Sequence, residues 1–139
     1  MDNKILLSEI VKQNLISDDI SKKILQEAIL AKKSVEDLIY ERRLVDEEKL
    51  ANIKSQLLGI PYKKIKSEDI SEEILKSISE DAVRNYKSIP ISRSSDMLVV
   101  GMVNPDDVKA QEALKFIAKQ LRLNLGIYLI SQSIFEIIL

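Results

Sequence analysis

The sequence predicts an α+β fold, a small helical subdomain followed by a small mixed β-sheet of about three strands packed with helices. Three observations carry that reading. Aliphatic residues recur at helical spacing from Ile5 to Leu57. Gly59-Ile60-Pro61 then breaks the pattern, since Gly59 suits a left-handed helix cap and Pro61 forbids helix continuation. Beyond it, short helical pieces give way to strand, strand, helix, strand and helix patterns in turn. The boundaries follow: residues 1–58 for the helical part and 59–139 for the mixed part. A chain of 139 residues can bury roughly two-thirds of its unfolded surface, so it needs no metal or disulfide staples.

The helical part reads as four helices. Ile5, Leu6, Ile10 and Val11 mark the first, and Ile20, Ile24, Leu25, Ala28 and Ile29 the second. Val35, Leu38 and Ile39 mark the third, and Leu50, Ile53 and Leu57 the fourth. The joints Asn14-Leu15-Ile16-Ser17-Asp18-Asp19 and Arg43-Leu44-Val45-Asp46-Glu47-Glu48 follow one scheme: a polar residue, two aliphatics, a capping residue, two acids. They lie 29 residues apart, which predicts a repeated helix–turn–helix hairpin. The match weakens after the acids, where Ile20 faces Lys49.

In the mixed part, Ile74, Leu75 and Ile78, then Ala82, Val83 and Tyr86, read as short helical pieces. Ser88 to Ser92 and Met97 to Val103 read as two strands joined by Arg93-Ser94-Ser95-Asp96, an antiparallel pair. Ala110, Ala113, Leu114, Ile117 and Leu121 give a strong helix. Leu123, Leu125, Ile127 and Leu129 alternate as a strand does, and Ser131 caps a last helix carrying Ile134, Phe135 and Ile138. Strand, helix, strand from Met97 to Ile130 implies a right-handed crossover between parallel strands.

Composition narrows the chemistry. The chain has no cysteine and no histidine. It therefore has no disulfide framework, no histidine general base and no structural zinc set, and zero cysteine fits a reducing, cytoplasmic compartment. Twenty-one basic residues face 22 acidic ones, which gives no long-range pull on nucleic acid. No apolar run is long enough to span a membrane. The start, Met1-Asp2-Asn3-Lys4, does not read as a signal peptide.

Five acidic pairs invite an acid–base reading: Asp18-Asp19, Glu47-Glu48, Glu72-Glu73, Glu80-Asp81 and Asp106-Asp107. Each follows a capping residue, Ser17, Asp46, Ser71, Ser79 or Asn104 with its Pro105, so helix starts account for all five. The three glycines, Gly59, Gly101 and Gly126, form neither a phosphate-binding P-loop nor a dinucleotide turn. Gly101 and Gly126 fall inside strands, where a bulge or close packing explains them. Lys63, Lys64 and Lys66 cluster, but aromatics make up only 4% of the chain and tryptophan is absent, so a base-stacking platform is not built. Neither cofactor nor metal is expected, and the isolated chain reads as a non-enzyme. Four short helices have little to bury against one another, which leaves Ile5, Leu6, Ile10, Val35 and Ile39 as candidates for exposure to a partner.

These residues carry a family resemblance over nearly the whole chain. The twin joints resemble those of the N-terminal domain of type II secretion and type IV pilus assembly ATPases. So does Gln56-Leu57-Leu58-Gly59-Ile60-Pro61-Tyr62 at the step between the two parts. The most specific set is Tyr86-Lys87-Ser88-Ile89-Pro90-Ile91, Leu98-Val99-Val100-Gly101-Met102 and Asn104-Pro105-Asp106-Asp107.

The resemblance implies a bacterial protein-transport role. Such a domain precedes an ATPase domain in cis, hexameric in the full-length parent, and docks onto the cytoplasmic part of an inner-membrane platform protein. It would be cytoplasmic and peripheral at the inner membrane through its partners, with no direct insertion.

The resemblance also implies an alternative, cyclic di-GMP sensing. Family members that bind this ligand open their helical repeats with Arg-Leu-Gly and carry a later glycine. Here the openings fall on Ile5-Leu6-Leu7 and Ser34-Val35-Glu36, and the later glycines on Asn14 and Arg43. The arginines and glycines that would hold phosphate are missing, which leaves Arg42 and Arg43 as candidate anion contacts. An oligomerisation domain that helps set the motor ring is the third reading.

Overall fold

The computed structural model describes residues 1–139, which divide into two units, Met1–Leu58 and Gly59–Leu139. In the first unit the Asp2 carboxylate caps α1 (Asn3–Lys12), accepting from the Lys4 and Ile5 amides. Ser17 caps α2 (Asp18–Ala31) and Ser34 caps α3 (Val35–Arg42). Asp46 precedes α4 (Glu47–Leu58). Each of these three side chains accepts from the amide three residues on. A bond of this kind satisfies an orphan helix donor and contributes about 1 kcal/mol. The acids behind the caps lie in first turns, as the helix dipole favours.

These four helices share one core. α1 packs on both α2 and α4, and α2 on α3. Leu6, Ile10, Ile24, Val35, Ile39 and Ile53 are all sealed within it. Each such side chain stabilises the fold by roughly 1.5–3 kcal/mol on burial.

The second unit begins with an extended segment in which Tyr62 bridges in parallel to Leu129. After a 3-10 turn at Ser67–Asp69 come α5 (Glu72–Leu75) and α6 (Glu80–Tyr86), capped by Ser71 and Ser79. Then follow β1 (Ser88–Arg93), β2 (Met97–Met102), α7 (Val108–Gln120), β3 (Asn124–Leu129) and α8 (Gln132–Ile138), the last capped by Ser131. The sheet order is β1-β2-β3, antiparallel between β1 and β2 and parallel between β2 and β3. The mixed sheet and its helices match the α+β expectation. Pro90 is tolerated because β1 is an edge strand, and the pairing shifts by one residue just after it. Leu98, Val100 and Met102 share with Ala110, Leu114 and Ala118 of α7 a core of this unit's own.

Gly101 is required by space. A Cβ there would stand 2.5 Å from Ile130 Cγ2 and 2.9 Å from Ile91 Cδ1. Gly126 is under no such demand, since its Cβ would meet Met97 and Val99 at an ordinary 3.5 Å. The strand reading of Gly126 holds, but neither a bulge nor close packing explains it.

One helix start differs from the sequence reading. Asn104-Pro105 does not open α7. The Asp107 amide donates to the Asn104 carbonyl (3.1 Å), closing a turn, and the Asp107 carboxylate then accepts from the Ala110 amide (3.1 Å). The second acid of that pair is therefore the cap itself, because the turn delays the helix by three residues.

Candidate functional site

The two joints of the first unit are built alike. At the end of α1, Asn14 adopts a left-handed conformation (φ 60°), its amide donates to the Val11 carbonyl (2.9 Å), and the Leu15 amide donates to the Ile10 carbonyl (3.1 Å). At the end of α3, Arg43 takes the same conformation (φ 51°), with matching bonds from Arg43 to Tyr40 (3.2 Å) and from Leu44 to Ile39 (3.1 Å). Paired bonds of this kind are the Schellman termination of a helix, which normally favours glycine at the left-handed position. Here asparagine and arginine occupy it. Asn tolerates the conformation better than other side chains, and Arg carries a Cβ penalty of about 1 kcal/mol. The backbone shape that two glycines would supply is thus kept without them.

The structure brings most of the proposed contact residues together in the wrong place for contact. Leu6, Ile10, Val35 and Ile39 are fully buried, and only Ile5, 55% exposed, lies on the surface. The expectation of exposure fails for these four because it weighed each short helix by itself, whereas all four helices close over one core. The exposed aliphatics of this unit are instead Ile5, Ile20, Ile29, Leu30 and Leu57, with Leu30 the most open at 84%. Leu30 stands off the buried stripe of α2, and that position was the available signal. Ile29 stands on the stripe, and only the early end of the packing at Ala28 exposes it.

Arg42 and Arg43 differ in their circumstances. The Arg42 guanidinium is paired with the Glu27 carboxylate of α2. Its hydrogen bond holds Glu27 below the usual carboxylate range and raises Arg42 above its ordinary value. Arg43 is exposed and sits at the left-handed turn. Of the two candidate anion contacts, only Arg43 is uncommitted to a carboxylate.

A largely buried charge pair joins α3 and α4. Lys54 Nζ of α4 meets Glu36 Oε2 of α3 at 2.5 Å, with side chains only 7% and 18% exposed. Shifted by the 29-residue repeat, the same positions in the first hairpin are Leu7 and Leu25, which line one small cavity between α1 and α2. Sequence reasoning missed this pair, because an isolated Glu and an isolated Lys in amphipathic helices look like surface residues. Leu7 and Glu36 also fall where the cyclic di-GMP-binding repeats carry their opening glycine. Leu7 is buried and Glu36 reaches across to Lys54, so side chains fill both places where a ligand would need bare backbone.

No helix is long and apolar enough to cross a membrane. The MshEN domain family matches residues 58–137. The type IV pilus assembly ATPase PilB of Myxococcus xanthus (strain DK1622) is 25% identical over 108 residues, which is 78% of this chain and 19% of that protein. The chain therefore spans about a fifth of the length of this relative. Among solved structures, MshE with cdg superposes with a TM-score of 0.73 at 20% identity, over 94% of this chain and 93% of that one. The N-terminal domain of XpsE superposes with a TM-score of 0.70 at 14% identity, over 99% and 94%. Both show a shared fold across both units. The family match, the pilus relative and the fold together establish that the chain belongs to the MshEN domain family, as an N-terminal domain of the type II secretion and type IV pilus assembly ATPases.

Proposed function

We propose that this chain is a non-catalytic docking and regulatory domain of a secretion or pilus assembly ATPase, and that it binds the cytoplasmic part of an inner-membrane platform protein. The ATPase domain would follow in cis, and the domain would stand in the cytoplasm, peripheral to the inner membrane through its partner. Family membership carries the reading. Ile5, Ile29 and Leu30 support the first unit as the contact face, because they are aliphatic, open to solvent and unneeded by the core. Titration of the chain with the platform protein's cytoplasmic domain tests it. Binding is expected in the micromolar range or tighter, and Ile29→Ser with Leu30→Ser should weaken it at least about tenfold without lowering the melting temperature. Absence of binding at high micromolar concentration would overturn the reading.

A second reading, cyclic-dinucleotide sensing, is favoured by one observation. The fold is shared with MshE, which was solved with cdg, and the left-handed turns at Asn14 and Arg43 preserve the backbone of both repeats. The buried Leu7 and the Glu36–Lys54 pair weigh against it. Calorimetric titration with cyclic di-GMP decides: no heat and no thermal shift would remove it.

A further inference from the structure

The sheet of the second unit has two edges, and the chain treats them differently. At the β1 edge Pro90 brings no amide, and α5 and α6 pack on the strand. The β3 edge is closed at one end only. In a parallel pair the backbone groups of successive residues point alternately toward the partner strand and away from it. Asn124 and Ile130 donate to the Asp96 and Met102 carbonyls on the β2 side (2.8 and 3.0 Å). Gly126 and Tyr128 therefore face β2 as well, while Leu125, Ile127 and Leu129 face outward. At Leu129 the outward groups are used: its amide donates to the Pro61 carbonyl (2.9 Å), and its carbonyl accepts from the Lys63 amide (2.9 Å). At Leu125 and Ile127 no such bond is made. Their amides and carbonyls form a short slot in line with the Pro61–Lys63 segment, without a partner in the chain.

The surface beside this slot is also unfinished. Alternation puts Gly126 and Tyr128 on one face of the sheet, in register with Val99 and Gly101. Gly126 has no backbone reason to be glycine, since its φ is not in the left-handed region, and no packing reason, since a Cβ would meet Met97 and Val99 at 3.5 Å. A strand glycine weakens its strand for want of a side chain to pack. Here it leaves a dimple beside Met97, Val99 and Tyr128, all of them half-buried. The Lys63 ammonium lies 5.1 Å from the Tyr128 ring centroid. Lys63 at the far end of the slot and Arg122 just before β3 are exposed, and neither takes part in an ion pair. The Asp96 carboxylate, at the Arg122 end of the sheet, accepts from the Ser94 hydroxyl (2.9 Å).

We propose that the β3 edge accepts an extended, acidic segment of another protein as an added strand, with a bulky apolar side chain of that segment seated over Gly126. Backbone bonds to Leu125 and Ile127 supply affinity, and the dimple for an alternate side chain supplies choice of sequence. A large side chain on a neighbouring strand is the usual cover for an edge glycine. Cations at both ends of the slot favour acids flanking the apolar residues. A second copy of this chain is a poorer occupant, because pairing β3 with β3 in either direction would bring the Lys63 and Arg122 cations of two copies together. The site uses none of Ile5, Ile29 and Leu30, so this proposal and platform docking through the first unit can fail separately.

Peptide titration and amide hydrogen exchange of the full chain, both read by NMR, test the proposal. The probe is an end-blocked peptide, Glu-Val-Thr-Phe-Thr-Val-Glu, whose valines and phenylalanine share one face when extended. In the free chain the Leu125 and Ile127 amides should exchange quickly, and those of Gly126 and Tyr128 slowly. The peptide should bind with a Kd of about 100 µM or tighter and slow exchange at Leu125 and Ile127 at least about tenfold. Backbone N-methylation of alternate peptide residues gives two sets, of which one should weaken binding at least about tenfold and the other leave it unchanged. Gly126→Ala and Gly126→Val should weaken it in that order, the second at least about fivefold, with melting temperatures at or above wild type. No binding up to about 1 mM overturns the proposal. So do equal effects of the two methylated sets, or both Gly126 variants binding as wild type. Slow exchange at Leu125 and Ile127 in the free chain overturns it as well, because the edge is then already filled, by a second copy where the protection grows with concentration.

Discussion

Glu27 and Arg42 are 15 residues apart in sequence, and the packing of α2 on α3 makes them partners. Both are about half exposed, so the pair matters more for titration than for stability. Glu27 is held below the usual carboxylate range first by the hydrogen bond from Arg42 and then by the charge of that guanidinium, with burial opposing both. The sign of the pH effect follows. A carboxylate whose folded pKa is depressed contributes stability that is present above its unfolded pKa and is lost as pH falls through the folded value. The Glu27 carboxyl carbon, followed by NMR, should therefore titrate below the ordinary glutamate value, and Arg42→Ala should return it toward that value. A Glu27 that titrates unchanged in the variant would mean that the pair does not persist in solution.

The two hairpins, α1–α2 and α3–α4, repeat one design with one substitution of principle. Where the first has Leu7 and Leu25, the second has Glu36 and Lys54 in contact, Lys54 buried and Glu36 partly so. Breaking such a pair from one side strands a charge in the core, whereas replacing both partners with apolar groups is often neutral or stabilising. Glu36→Leu alone or Lys54→Leu alone should cost about 3 kcal/mol in denaturant unfolding, and the double variant should recover most of that loss. Additive losses would mean that the two side chains act independently. At this scale the sequence was informative wherever the cause is local. The caps at Ser17, Asp46, Ser71, Ser79 and Ser131, the left-handed Gly59 and the 29-residue repeat all depend on neighbours along the chain, and all were legible. The Asn104–Asp107 turn was not, because proline serves equally well at a helix start and in a turn.

At the level of the whole molecule, each unit has a separate core. One draws only on residues up to Ile53, the other only on residues from Ile65 onward. The fragment 59–139 should therefore fold without residues 1–58, giving a dispersed amide spectrum and cooperative unfolding; a broad, non-cooperative transition would show that it depends on the first unit. The mixed sheet, its order of elements and its parallel pair could be read from alternation and spacing. The contact residues could not be read in the same way. One helix at a time, Leu6, Ile10, Val35 and Ile39 look open to a partner; their burial arises from which helices meet, a matter that periodicity does not encode.

The notch at Gly101 reaches past the fold to the history of such chains. Alanine is the smallest change open to glycine, and its single methyl would already overlap Ile130 and Ile91. Position 101 thus has no free neighbour in sequence space: a lineage can leave glycine there only as the side chains at 130 and 91 give way, by a smaller residue or a shifted one. Among descendants of this fold, a side chain at 101 should come with changes at 130 and 91.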